Sequence, residues 1–182
     1  MKVGFMGTPD FAVPVLEALI SAGHQICCVI TQPDRARNRG KKVIFSPVKT
    51  AAVEHGIDVL QPEKIKGDET VFRFLQEQNP DIIVVAAYGQ IIPKSILDLP
   101  KYGCVNVHAS LLPKLRGASP IQHAILQGER ETGVTIMQMA EGLDTGDMIA
   151  KVRTEVGRKN GQELHDELAH LGAELLTETL PL

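Results

Sequence analysis

Asp81-Ile82-Ile83-Val84-Val85-Ala86-Ala87, running directly into Tyr88-Gly89-Gln90, sets the architecture of this chain. An unbroken apolar run rich in β-branched residues predicts a strand buried on both faces, as in a parallel sheet lying between helices. The turn that follows stands where such a sheet presents its carboxyl ends to a ligand crevice.

The segments on either side fit that plan. Upstream, Val3–Met6 reads as a short strand and Gly7-Thr8-Pro9-Asp10 as a turn. Ala12–Ala22 reads as a helix, with Asp10 as its cap, Pro14 tolerated in the first turn and Gly23 as its stop. Gln25–Thr31 is a second apolar strand, Pro47–His55 a short helix closed by Gly56, and Ile57–Leu60 a third strand. Asp68–Asn79 has the pattern of an amphipathic helix. Downstream, Pro93–Leu97 makes a helical turn and Cys104–Val107 the next strand. Ser119 and Pro120 pair as N-cap and first turn of a helix reaching Gln127. Thr132–Met139 and Asp147–Val156, joined without a helix, predict an antiparallel pair at the sheet edge. Glu163–Leu180 is the longest helix, its stripe drawn by Leu164, Leu168, Leu171 and Leu175. The expectation is a single domain over residues 1–182. Its class is α/β and Rossmann-like: a mostly parallel sheet with helices on both faces and an antiparallel edge.

Gln32–Ser46 stands apart. It has no hydrophobic periodicity and is long for a connection inside a compact domain, so a loop is expected there. It carries Arg35, Arg37, Arg39, Lys41 and Lys42 within eight residues free of acidic groups. The whole chain, with 19 basic and 22 acidic residues, stands at −3, which excludes a generic nucleic-acid binder. With those five set aside, 14 basic residues face 22 acidic ones, so the loop is a basic island on a body at −8. From charge alone, a solvated run is the first reading and a phosphate-binding arm the second.

Composition closes other routes. No apolar run approaches the ~20 residues of a membrane span, and MKVGFMG lacks the pattern of a signal peptide. Cys27, Cys28 and Cys104 are odd in number and sit in apolar runs, which predicts reduced core thiols and a cytoplasmic protein.

Chemistry gathers at strand ends. Alternation along Cys104–Val107 and into His108 places Asn106 and His108 on one face, aimed at the turn-rich segment broken by Pro113, Gly117 and Pro120. Asp144 lies in the Gly-flanked loop between the last two strands. If that loop folds over the carboxyl edge, an amide, an imidazole and a carboxylate meet, a set suited to attack of an amine on a carbonyl. No Ser or Cys is poised as a nucleophile, so direct transfer is expected. Against this stand plainer readings: a structural His108, and an Asp144 that serves only its turn. Glu141, Asp144 and Asp147 lack calcium-loop spacing, so no metal is expected. Gly4-Phe5-Met6-Gly7 lacks the rest of a dinucleotide fingerprint. His24, His55, His123, His165 and His170 have no inferred partner, and structural placement is their default.

The run Asn106-Val107-His108-Ala109-Ser110-Leu111-Leu112-Pro113, with Arg116-Gly117-Ala118 and Gly142-Leu143-Asp144-Thr145-Gly146, resembles the folate-dependent formyltransferase family. MGTPDFAVP at 6–14, TQPD at 31–34, RGKK at 39–42, SPVK at 46–49, AYGQIIP at 87–93 and TGVTIMQM at 132–139 are similar to members that formylate methionine on initiator tRNA. The resemblance implies 10-formyltetrahydrofolate as donor and initiator methionyl-tRNA as acceptor. It implies that Asn106 and His108 polarise the formyl oxygen, and that Asp144 orients His108 and relays protons. It further implies folate contacts by Ser110, Leu111, Leu112 and Pro113 and a pterin pocket lined by Tyr88, Gly89, Gln90 and Ile91. Arg35, Arg37, Arg39, Lys41 and Lys42 become RNA contacts, although Ala36-Arg37-Asn38 stands where Pro-Ala-Gly is the family's pattern. Such members add a C-terminal RNA-binding domain, of which this sequence shows no trace, and a monomer is expected. Competing readings are transfer to an amino-sugar nucleotide or glycinamide ribonucleotide, and a nonenzymatic RNA-binding module.

Overall fold

The computed structural model describes residues 1–37, 42–112, 114, 119–142 and 146–180, with the side chains of Ala36 and Arg37 left aside. Its strands are β1 (Lys2–Gly7), β2 (Gln25–Ile30), β3 (Arg35–Arg37), β4 (Lys42–Ile44), β5 (Val59–Leu60), β6 (Ile82–Ala86), β7 (Cys104–His108), β8 (Glu131–Gln138) and β9 (Met148–Glu155). The helices are α1 (Val13–Ser21), α2 (Pro47–Glu54), α3 (Glu69–Gln78), α4 (Lys94–Leu97), α5 (Pro120–Leu126) and α6 (Gly161–Thr179), with a 3-10 turn at Asp10–Ala12.

The main sheet runs β5-β2-β1-β6-β7-β8-β9. The pairings from β5 through β7 are parallel, and β8 and β9 add antiparallel. The expected α/β class and its antiparallel edge are borne out. Alternation sorts the strand residues between two cores. Val3, Phe5, Val84, Val105, Val107, Val134 and Ile136 face α1, α2, α5 and α6, while Met6, Cys28, Ile83, Val85 and Cys104 face α3 and α4. Complete burial of side chains such as Phe5 and Met6 stabilises by roughly 1.5–3 kcal/mol each.

The strand order reverses between β1 and β6, the position at which open α/β sheets form their crevice. There the two backbones nearly touch. A Cβ on Gly7 would lie 2.8 Å from both the Ala86 carbonyl oxygen and the Ala12 Cβ. Thr8 Oγ1 donates to the Tyr88 carbonyl at 2.7 Å, tying the ends of β1 and β6 together. Gly4 and Gly7 are thus glycine for packing.

Four local expectations are corrected. The segment expected as a loop contains β3 and β4, an antiparallel ribbon separate from the main sheet with Arg35 opposite Ile44 and Arg37 opposite Lys42. Its strands are three residues long and Lys42–Ile44 is exposed, so no burial period marked it. Asp10 does not cap α1 but begins the 3-10 turn, whose N-cap is Pro9. Ser119 occupies the N-cap of α5 at φ 59 but makes no capping hydrogen bond. On α6 the buried stripe is Leu164, Leu168, Ala169, Gly172, Ala173 and Leu176, with Leu171 and Leu175 half-buried at its margin.

Candidate active site

β7 carries Asn106, half-buried, and His108, buried at 8% exposure, on the face that also holds Cys104. The strand is held in place by α6 from the other face. A Cβ on Gly172 would meet Val107 Cγ1 at 2.9 Å and Val134 Cγ1 at 3.3 Å, so only glycine lets the helix lie this close.

The chain leaving β7 is a stapled turn. Ser110 N donates to the His108 carbonyl at 2.9 Å, and Ser110 Oγ donates to the Lys114 carbonyl at 2.8 Å. Thr135 stands opposite His108 in the β7–β8 register and is fully buried. Its Oγ1 donates to the Ser110 carbonyl at 2.7 Å and accepts from Leu112 N at 3.1 Å. Lys151 Nζ, on β9, donates to the Leu112 carbonyl at 2.7 Å. The Ser110 hydroxyl is therefore committed to the turn. Thr135 and Lys151 shape this loop and were not singled out from sequence. The available signal was a Thr set between the apolar Val134 and Ile136.

The turn after β6 adjoins this strand. Val85 pairs with Asn106, so the parallel register brings the chain out of the sheet at Ala87, level with His108. Ala87 has φ 51 and Gly89 φ 104, left-handed conformations that are costly for Ala and free for Gly. Tyr88 turns inward, 2% exposed, and its hydroxyl has no hydrogen-bond partner among the described residues. Burial, with a smaller contribution from Asp68, pushes this phenol up to about 12. Only the backbone of Tyr88 is left to line a pocket. Gln90 is clasped: its Nε2 donates to Gln32 Oε1 at 2.9 Å and to the Pro62 carbonyl at 3.1 Å, and its Oε1 accepts from Ile65 N at 2.8 Å. Ile91 is 78% exposed, an apolar surface beside the strained turn.

Asp144 and Pro113 lie outside the described residues. The flanks of Asp144 are visible: Gly142 has φ 107, and a Cβ on Gly146 would overlap the Gln138 carbonyl oxygen. Gln138 pairs with Val105, so that loop is rooted three residues below His108 along β7. A cleft of about 580 Å³ is lined by Leu111, Leu112, Lys114, Arg130, Lys151 and Arg153 among others. It does not include Asn106 or His108.

Of the basic candidates, Arg35 and Lys42 stand on the exposed ribbon, Arg37 is placed by its backbone, and Arg39 and Lys41 lie outside the described residues. Among the described residues no group of three or more His, Cys, Asp or Glu is arranged to hold a metal ion. No described helix is long and apolar enough to cross a membrane.

The sequence model of the formyl transferase family matches residues 1–180. The chain is 56% identical over 181 residues to a methionyl-tRNA formyltransferase of Caldanaerobacter subterraneus, covering 99% of this chain and 59% of that protein. It is 55% identical over 181 residues to the methionyl-tRNA formyltransferase of Bacillus subtilis, covering 99% and 57%. It thus spans less than two thirds of the length of these curated relatives. Among solved structures, a glycinamide ribonucleotide transformylase from Symbiobacterium toebii superposes with a TM-score of 0.81 at 18% identity, covering 100% of this chain and 86% of that one. A formyltetrahydrofolate deformylase from Pseudomonas syringae gives 0.77 at 22%, covering 98% and 59%. Identities this low show a shared fold. With the family pattern running through nearly every residue, this chain belongs to the formyl transferase family.

Proposed function

We propose that this chain is the catalytic domain of an enzyme that moves the formyl group of 10-formyltetrahydrofolate to the α-amine of methionine on initiator tRNA. The observation that carries this is identity near 55% with methionyl-tRNA formyltransferases along 99% of the chain. The site's geometry fits the donor. A buried imidazole and a half-buried amide share one strand face, and an exposed apolar Ile91 adjoins a turn whose backbone is open at Ala87 and Gly89.

In this reading Asn106 and His108 hold the formyl oxygen and stabilise the charge it gains as the amine adds to the formyl carbon. The new C–N bond forms on the methionine nitrogen, and the old one breaks at the folate nitrogen. The proton lost by the amine passes to that leaving nitrogen, with Asp144 and His108 as the relay. The loop of Asp144 is rooted at the level of Val105. Backbone groups of Tyr88–Ile91 and of the Ser110–Pro113 turn contact the folate. Arg35, Arg37, Arg39, Lys41 and Lys42 contact acceptor RNA. The protein acts as a cytoplasmic monomer, with residues 1–182 as one domain.

A formyl-transfer assay with 10-formyltetrahydrofolate and charged initiator tRNA tests this, with glycinamide ribonucleotide and amino-sugar nucleotides as competing acceptors. Transfer to the RNA-borne methionine is expected. Transfer only to the small acceptors would overturn the assignment.

A further inference from the structure

Both roots of the basic ribbon converge on one ammonium group. Asp34, the residue before β3, accepts from Lys49 Nζ at 2.6 Å. Phe45, the residue after β4, carries the same ammonium 3.8 Å from its ring centroid. The Lys49 side chain is only 13% exposed and that of Asp34 24%. This positive charge, seven residues beyond the basic run, is therefore turned inward and matched by a carboxylate and an aromatic face.

Lys49 is itself held in place. It lies in the first turn of α2, where the N-cap Ser46 accepts from Lys49 N at 3.1 Å and shares a 2.8 Å hydrogen bond with Thr31 at the end of β2. Gln61 Nε2 donates to the other Asp34 oxygen at 2.8 Å and to the Gln32 carbonyl at 3.3 Å. The Gln32 side chain in turn accepts from Gln90, in the turn after β6. Lys49 first, and Gln61 second, hold the Asp34 carboxyl below its ordinary range.

Taking the ribbon as the acceptor arm, as proposed above, we propose that Lys49 is a positioning residue rather than an RNA contact. The Asp34–Lys49–Phe45 clamp fixes both roots of the ribbon to α2 and, through Gln61 and Gln32, to the turn beside β7. Arg35 and Lys42 then stand at a set distance from the donor site before RNA arrives. Ordering the arm in advance lowers the entropy cost that binding would otherwise carry.

Asp34→Asn separates this from simple electrostatics. Removing a negative charge next to a polyanion would tighten RNA binding if charge alone mattered. Loss of the clamp weakens it instead, on the order of ten-fold for a broken charge-assisted contact. Phe45→Leu, which changes no charge, should weaken binding in the same direction. Lys49→Met should weaken it with the salt slope intact, because loss of a true phosphate contact would reduce that slope by roughly 0.7–0.9. Binding is read by titration of initiator tRNA at several salt concentrations. Hydrogen exchange at Val43 and Ile44, independent of RNA, should quicken in all three variants. Unchanged exchange, tighter or unchanged binding by Asp34→Asn, or a slope lowered by about one in Lys49→Met would each overturn the clamp. If the unmodified chain fails to bind initiator tRNA even at low salt, the acceptor reading falls and the arm's role with it.

Discussion

His108 sits at the last position of β7, buried, with a turn beyond it whose hydrogen bonds run to β8 and β9. If it supplies the proton that steadies the oxyanion, His108→Ala should lower single-turnover formyl transfer by roughly 10²–10⁴-fold. Donor binding, read by fluorescence, should change only a few-fold; transfer at a near-native rate would remove His108 from the mechanism. Thr135→Val tests the staple. It keeps the shape but leaves the Ser110 carbonyl and Leu112 N without their shared hydroxyl, at a cost of about 1–3 kcal/mol in urea unfolding, with kcat falling as the turn loosens. A variant of native stability and native kcat would show that the staple is dispensable. Asn106 and His108 were legible because alternation along a strand is visible in one dimension. Thr135 was not, since its partners lie 25 and 23 residues away and its own neighbourhood reads as ordinary strand. Tyr88 was legible as a place but not as an orientation: the left-handed Ala87 that turns its ring inward leaves no trace in the sequence.

Elements were read well where burial imposed a period and poorly where it did not. β6 and β2 announced themselves, being apolar on both faces. The β3–β4 ribbon did not, because Arg35 and Lys42–Ile44 are exposed and set no burial period, while its roots are held at Asp34 and Phe45. The sequence pattern starts α6 at Glu163, yet Asn160 accepts from Glu163 N at 2.8 Å and the Glu163 carboxylate accepts from Asn160 N, a capping box that begins the helix earlier. The leucines of α6 mark a stripe one position off the buried one, because the residues nearest β7 and β8 are small. Gly172 makes that approach possible. Gly172→Ala should therefore destabilise by about 1–3 kcal/mol from overpacking against two β-branched side chains, outweighing the ~1 kcal/mol that alanine brings to a helix. A lower melting temperature is expected; a higher one would mean that α6 can retreat without cost.

At the scale of the molecule, alternating apolar strands and amphipathic helices were enough to foresee the mostly parallel order and the antiparallel β8 and β9. The charge plan was also legible: a body of net negative charge that carries one locally basic arm. That plan predicts different salt responses for the two proposed substrates. Affinity for tRNA should fall steeply with ionic strength, and Arg35→Ala with Lys42→Ala should flatten the log–log slope by roughly 1.4–1.8. Donor affinity should be nearly indifferent to salt. Equal salt slopes for the variant and the unmodified chain would place the RNA elsewhere. The sheet order has a further consequence, for the making of the protein. β1, near the amino terminus, lies between β2 and β6, yet β6 begins at Ile82. At ~5–20 residues per second a ribosome needs roughly 4–15 s to go from one to the other. During that interval β1 carries an open apolar edge. A nascent chain stalled before β6 should be the species most readily captured by chaperones, and release from them should coincide with the arrival of that strand.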